Sequence, residues 1–594
     1  MGKELFERID RKVGDLLNDI RIGKIGLPDL QRPFVWKDNK VRDLLDSMKK
    51  GYPVGYVMLW KAPEEFDNVR SIGTNSKDFK APQDLVIDGQ QRLTSLLGAM
   101  YGVEVKDKNY KSKFINISFN PLTNEFQVWT QAYENDKRWI SKISKIFEAE
   151  SSHTFPSFRK SIFKQINEVR EKNGESILTD DEETTIEENL TAVLSLQDYT
   201  IPTLQITSKA EEEDVADIFK RVNSGGQNLT ENNFIETLLS VYDNEMHDDI
   251  YKFCEDSRIA KDGTSYNQII NVDSSHLIRM AVGYGFRRAR LAYAYKLLRG
   301  KDLETGVTSE ETRKTNLLRF KDAMKCVMNL NDWHCYLNIF ADSGYLKGDL
   351  ISSKNVVVYS YVLFLIGKHD FRISVVDLRK VIARWIFMTT ITSYFVEGSP
   401  ESIAERIFAD IRNMTKQEEF LAYLNDAVTL RLSDDFFTLE LPNNLKTSSS
   451  TSPFWYGYIA SLNILGYPML FSKSPLAKYW IVGSSGKKSA IDKHHIFPKH
   501  YLTEIGIEDD RDRNQIANFT YLDYNTNIDI ADKEPPLYVS IYRSKLGEEG
   551  YKTTCRQNAL PENFETMDYF DFLEKRRVLM AGIIKKAYEQ LLDK

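Results

Sequence analysis

A short apolar stretch, Leu85-Val86-Ile87, runs straight into Asp88-Gly89-Gln90-Gln91-Arg92, after which apolar residues fall at Leu93, Leu96, Leu97 and Met100. The first run reads as a strand; the second, at i, i+3, i+4 and i+7, is one face of an amphipathic helix. A strand that turns on a glycine into a helix commits this part of the chain to a mixed α/β layer. It also makes a place for an anion, because the first backbone N–H groups of a helix lack partners and the helix dipole points at the turn. Arg92, one turn into the helix, is expected to reach back to a phosphate with its guanidinium fork, and Asp88 to hold a metal or orient a water. The plainer reading, in which Gly89 makes the turn and Asp88 caps the helix, stands beside it.

Two further polar clusters flank this turn. Residues 27–36 read LPDLQRPFVW, with Gln31 and Arg32 wedged between apolar residues just before Pro33. A helix is expected over 39–50, burying Val41, Leu44, Leu45 and Met48 and stopping at Gly51. Further on, Arg221-Val222-Asn223-Ser224-Gly225-Gly226 has the flexible backbone and the donors of an anion-binding loop, with Thr230 as N-cap of the next helix.

The chain has 594 residues, which at roughly 150 per domain argues for three or four domains. Residues 442–453, PNNLKTSSSTSP, are polar and without period and read as a linker; residues 171–189 read as a solvated insertion. The expected organisation is multidomain α+β: a mixed unit over 1–235, a helical middle over 236–441 and a small C-terminal unit over 454–594. With 79 basic and 86 acidic residues the net charge is −7, which excludes a uniformly basic nucleic-acid coat but not a local basic groove. The four cysteines are scattered, without a CxxC pair, so neither a disulfide scaffold nor a cysteine zinc ribbon is expected. With a charged start no signal peptide is expected, and the longest apolar run, 356–366, is half of what a membrane span needs. A soluble, cytoplasmic protein without a membrane partner is expected.

Three of eight histidines, His494, His495 and His500, lie within seven residues, in IDKHHIFPKH. Downstream come Asn514-Gln515-Ile516-Ala517-Asn518 on the approach to a short apolar strand, then Asn525-Thr526-Asn527. A histidine pair followed by asparagines suits phosphodiester hydrolysis with one base and one divalent cation. His495 is assigned as general base, since a metal-free imidazole neutral near pH 7 can take a proton from water. His494 and Asn527 are assigned as metal ligands, with Asn525 an alternative to Asn527, and Asn518 as the residue that orients the base. A structural zinc site on His494 and His500 is the competing reading.

The ordered motifs LPDLQRPFVW, VIDGQQRLTSL and FKRVNSGGQNLTENNF resemble the N-terminal domain of the GmrSD family of modification-dependent (type IV) restriction enzymes. That resemblance implies a ParB/sulfiredoxin-like fold in which Asp88, Gly89, Gln90, Gln91 and Arg92, with Gln31, Arg32, Asn223 and Ser224, bind and hydrolyse a nucleoside triphosphate (ATP, GTP, UTP or CTP). The histidine segment is similar to the HNH (His-Me finger) ββα-metal nucleases, and more narrowly to the nuclease domain of the same family. An acidic residue is common there where this chain has His494, a change that favours Mn²⁺, Ni²⁺ or Zn²⁺ over Mg²⁺.

Residues 279–301 hold seven basic residues and no acid, interleaved with aromatics. Arg287, Arg288 and Arg290 are the candidate contacts to a DNA backbone, against the alternative of a solvated helix face. Together these features imply an NTP-dependent nuclease acting on modified phage DNA, with glucosylated hydroxymethylcytosine or phosphorothioate as the mark. A homodimer is a reasonable partner, since one HNH site cuts one strand. A nuclease that nicks without selecting modified DNA, and a nucleotide-switched DNA-binding protein that does not cut, are the competing functions.

Overall fold

The computed structural model describes residues 5–593 except 27–33, 35, 62–82, 108–110, 211–213, 216–217, 219–221, 223–243, 299, 303–304, 397 and 482–490. The chain divides into two compact units, Met1–Glu255 and Asp256–Lys594.

The first unit is built on a five-stranded mixed sheet. Its strands are β1 (Phe6–Lys12), β2 (Ile25–Gly26), β3 (Val57–Lys61), β4 (Asp84–Asp88) and β5 (Thr200–Ile206), in the order β1-β5-β3-β4-β2. Strands β3 and β5 are parallel, as are β2 and β4, while β1–β5 and β3–β4 are antiparallel. The period of two sends Val57, Leu59 and Val86 to one face and Met58, Trp60, Leu85 and Ile87 to the other, and both sets are buried. Helices α1 (Val13–Arg21), α2 (Asp38–Lys49) and α3 (Gln90–Tyr101) bring their apolar stripes to the first set. The expected helix faces hold: Val41, Leu44, Leu45 and Met48 are buried on α2, and Leu93, Leu96, Leu97 and Met100 on α3. Gly51, at φ +71°, follows the C-cap of α2, a left-handed position that disfavours a Cβ.

Residues 171–189 are mostly exposed, as expected of a solvated stretch, with Leu178 and Ile186 buried among them. Helix α4 (Asp180–Leu194) runs through them, because Thr179 and Glu182 form a capping box and Ile186, Leu190 and Val193 are buried. Arg170 holds Glu182 with two hydrogen bonds of 2.8 and 2.6 Å, keeping that carboxyl down at about 2.

The second unit is mainly helical. It contains α5 (Ser274–Phe286), α6 (Glu310–Val327), α7 (Lys354–Leu365), α8 (Val375–Ile391), α9 (Pro400–Ile411), α10 (Pro453–Ile464), α11 (Tyr524–Ile530) and α12 (Tyr569–Asp593). The apolar run at 356–366 lies in α7, where every residue from Val356 to Leu365 is buried. Among the described residues no helix is long and apolar enough to cross a membrane. One antiparallel ribbon, β6 (Ile491–His495) with β7 (Phe519–Asp523), completes the unit, and α11 follows β7 directly.

Residues 442–453, read as a linker, lie inside the second compact unit. Leu441 and Leu445 are fully buried, and the Thr447 carbonyl accepts from the backbone N–H of Ile516 at 2.8 Å. The helical middle and the C-terminal segment form one compact unit. A polar composition marks weak periodicity, but Leu445 and the Thr447 carbonyl tie this stretch to the unit.

Candidate functional site

The histidine pair sits at the end of β6, facing Phe519 and Thr520 of β7 across the ribbon. Neighbouring residues of a strand point to opposite faces, so His494 and His495 have different surroundings. Helix α11 is started by Asp523, whose carboxylate accepts from Thr526 N–H at 3.0 Å and from its hydroxyl at 2.9 Å. This cap sets the helix directly after β7 and brings Asn527 back onto β6. His494 Nδ1 lies 2.8 Å from Asn527 Oδ1. The two residues assigned as ligands, 33 positions apart in sequence, meet; Asn525 is exposed.

His495 packs edge-on against Phe519, with ring centroids 4.9 Å apart. Its Nε2 lies 3.1 Å from Asn514 Oδ1. With that oxygen as acceptor, Nε2 carries the proton and Nδ1 keeps its lone pair. Burial is the main cause that pushes the imidazole down to about 4, and the charges of Lys499 and Lys493 act the same way. His495 is therefore neutral at pH 7. Lys493, two residues back on the same face, covers the other side of the cluster with its ammonium 4.4 Å from the Phe519 centroid.

The expected contact from Asn518 to the base is not made; Asn514 makes it. Asn518 is fully buried, accepts from Phe497 N–H at 2.8 Å, and donates to the Phe497 and Arg513 carbonyls at 3.0 and 3.2 Å. Its carboxamide ties the chain leaving His495 to the turn that carries Asn514, so it positions both through the backbone. Tyr538 reinforces this by donating to the Ile496 carbonyl at 2.7 Å. Nothing local in Asn514-Gln515-Ile516-Ala517-Asn518 tells which asparagine faces the ring, since that depends on how the turn packs.

Arg576 is a second residue that motif reading passed over. Its side chain is fully buried and donates to the Ala517 carbonyl at 2.6 Å and the Asn558 carbonyl at 3.4 Å. The signal was present: Arg576 falls on the same stripe of α12 as the buried Phe572, Met580 and Ile583.

His500 stands apart on a short helix, exposed, with Nδ1 3.4 Å from Glu504. Among the described residues no three of His, Cys, Asp and Glu gather as metal ligands, which leaves the zinc reading without a ligand set. The His494–Asn527 pair offers one imidazole and one amide oxygen, a donor set that fits an ion keeping most of its water shell.

In the first unit, β4 ends at Asp88, opposite Met58, where the β3–β4 register slips. Gly89 takes φ +91°, and a Cβ there would meet Val57 Cγ2 at 3.0 Å, so the turn requires glycine. Helix α3 begins at once with Gln90 and Gln91, as the strand–turn–helix reading expected. Arg92 does not stand open toward the turn. Its guanidinium donates to the Tyr56 carbonyl and packs against Gly55, at φ +90°, where a Cβ would come within 2.9 Å of it. Burial lowers its pKa against the opposing charge of Asp88. Arg92 thus clasps the approach to β3 beside the turn. Gln31, Arg32, Asn223 and Ser224 lie outside the described residues.

Three arginines of the basic stripe are neutralised from within the unit. Arg287 is paired with Asp370, Arg288 with Glu405 at 2.8 Å, and Arg279 with Glu401. Arg290 is exposed and donates to the Ser402 hydroxyl at 3.1 Å. Sequence showed no acid within the stripe because these partners come from α9 and from the turn after α7.

Residues 13–240 match the family model described as GmrSD restriction endonuclease, N-terminal domain. Over those residues the chain is similar to that domain. The match begins at the first residue of α1 and takes in the β4–α3 turn, so Asp88–Arg92 lies within the matched segment. The histidine site lies outside it. A relative from Methanocaldococcus jannaschii, the uncharacterized protein MJ0686, is 22% identical over 587 residues, covering 94% of this chain and 92% of its own. The chain is thus similar to that archaeal protein over both units.

Proposed function

We propose that this chain is a restriction-type DNA endonuclease of phage defence, in which a nucleotide-binding GmrSD N-terminal domain accompanies an HNH-like nuclease unit. The observation that carries the nuclease reading is the meeting of His494 and Asn527 at 2.8 Å, on a strand–strand–helix arrangement, beside a neutral His495. The match over 13–240 supports the restriction role and DNA as substrate.

The chain's own residues divide the work as follows. His494 and Asn527 would hold a divalent ion such as Mg²⁺, Mn²⁺ or Ni²⁺. Bound there, such an ion supplies charge stabilisation to the scissile phosphate and the leaving oxygen. His495 takes the proton of the attacking water at Nδ1, and the Asn514 contact holds its ring and tautomer. Burial keeps that imidazole neutral, Lys499 and Lys493 act the same way, and the two lysines make the surroundings favourable to a phosphodiester. Asn518 and Arg576 hold the turn beneath. In the first unit, Asp88, Gly89, Gln90 and Gln91 form the nucleotide-facing turn, with Arg92 bracing it. Glucosylated hydroxymethylcytosine is the first mark to test, with phosphorothioate next.

The test compares glucosylated phage DNA with the same genome unmodified, with Mg²⁺ or Mn²⁺, with and without each NTP, and with His495→Ala as control. Selective cutting lost in the control supports the reading. Equal cutting of both DNAs removes the selectivity, and DNA binding without any cutting overturns the nuclease role.

A further inference from the structure

The second unit contains a cavity of about 890 Å3 that the nuclease reading does not use. That size is within the ~300–1,000 Å3 of small-molecule sites. One wall is the end of α5, where Tyr284-Gly285-Phe286 leads into Arg287; the other is the face of α6 that carries Asn316, Arg319 and Asp322. The walls are rigidly built. A Cβ on Gly285 would come within 2.9 Å of Ala323 Cβ, which records how closely the two helices approach. Arg287 takes φ +56°, is anchored by Asp370, and receives on its carbonyl a 3.0 Å hydrogen bond from Arg412.

The lining carries both signs of charge. Arg287 and Arg288 are committed to carboxylates, but among the described residues Arg319 and Lys301 have none within 4.0 Å. Arg319 lies 5.0 Å from the Phe286 centroid, which orients the guanidinium plane and leaves its N–H edge for a planar or tetrahedral oxyanion. Asp322, on the same helix face, likewise has no cation within 4.0 Å among the described residues. Two cations without a carboxylate among the described residues ask for an anion, and a carboxylate without a cation among them asks for donors such as sugar hydroxyls or an exocyclic amine. Inorganic phosphate offers only the first, and an apolar ligand neither.

We propose that this cavity binds a nucleotide, its phosphate on Arg319 and Lys301 and its base or sugar donors toward Asp322 beside Phe286. The proposal rests on the reading above that nucleotides and DNA are this protein's ligands. The nucleotide is either free or a unit of a DNA strand turned into the cavity, and the two sources share this chemistry.

The test uses the full chain, without added metal so that nothing is cut, in two arms. One arm measures ATP binding by equilibrium dialysis, reading stoichiometry as well as affinity so that a site in the first unit stays visible. The other measures anisotropy of a labelled 20-nucleotide DNA, single-stranded and duplex. Arg319→Gln and Lys301→Gln are each expected to weaken one arm about 10-fold or more, the size of one charge-assisted contact to phosphate. Arg319→Lys, which keeps the charge but loses the fork, should fall between. Loss in the ATP arm identifies a free nucleotide; loss in the DNA arm identifies a strand nucleotide. Wild-type-like binding in both arms by folded variants overturns the proposal. Lys301 is a half-buried loop residue, so its variant decides the matter if Arg319→Gln does not fold. Because nothing is cleaved, an inactive nuclease would leave this result standing on its own.

Discussion

Asn514 and His495 are joined by a 3.1 Å contact between a side-chain oxygen and Nε2, while Asn518, four residues on, is turned the other way into backbone. The two asparagines therefore act on the same base by different routes, and their variants should separate. Asn514→Ala should lower cleavage by ten-fold or more with little change in melting, since a side chain at a partly exposed position leaves no buried backbone group unsatisfied. Asn518→Ala should cost about 1–3 kcal/mol of stability, because it strands the Phe497 N–H in the interior, and cleavage should fall with it. Denaturant unfolding alongside single-turnover cleavage checks both; equal stabilities would contradict the division.

His276 makes the second unit sensitive to acid. It sits one turn into α5, accepts at Nδ1 from the Asp273 N–H at 3.1 Å, and burial holds it down at about 4. Asp273 opposes that shift, while Lys354, Arg279 and Arg258 add to it. The unfolded chain, with a histidine near 6.5, binds the extra proton between the two values. Stability from this group is therefore complete above about pH 6.5 and is lost as pH falls toward 4. His276→Gln keeps the capping acceptor without the titration, so its melting temperature should fall less between pH 7 and pH 5 than that of the wild type.

Arg576→Met should destabilise the second unit by about 2–3 kcal/mol, as expected when charge-assisted hydrogen bonds to buried carbonyls are removed. Ala517 then loses its donor, and with it the turn beneath Asn514 and Asn518 loosens. Cleavage should drop even at temperatures where the variant is folded. A variant that is destabilised yet fully active would show that the buried guanidinium serves the core alone.

The paired arginines predict an asymmetry in DNA binding. Arg287→Ala and Arg288→Ala each uncover a carboxylate, so they should lower the melting temperature more than they alter the salt dependence of binding. Arg290→Ala, at an exposed position, should leave stability unchanged and reduce the slope of log K against log salt by about one if it touches a phosphate. Titrations at several salt concentrations decide it.

Much of this molecule is legible in its sequence. Leu93, Leu96, Leu97 and Met100 share a face because a helix has 3.6 residues per turn, and Gly89 and Gly51 mark places where the backbone turns left-handed; both are local properties. His494 and Asn527 could be paired because a histidine pair followed downstream by asparagines suits phosphodiester hydrolysis with one base and one divalent cation. What remained hidden is non-local. Arg92 looks like an anion ligand until β3 brings the Tyr56 carbonyl beside it, and residues 442–453 look like a linker until Leu445 finds a core.

The sequence by itself determined the periods, the turns and the inventory of donors, because these depend on neighbours a few residues apart. Only the tertiary structure decided which asparagine meets His495, which arginines are already spent on Asp370 and Glu405, and that Arg319 and Lys301 face a cavity. Charge and hydrogen-bonding capacity belong to a residue, but whether they are satisfied depends on groups that folding brings from far along the chain.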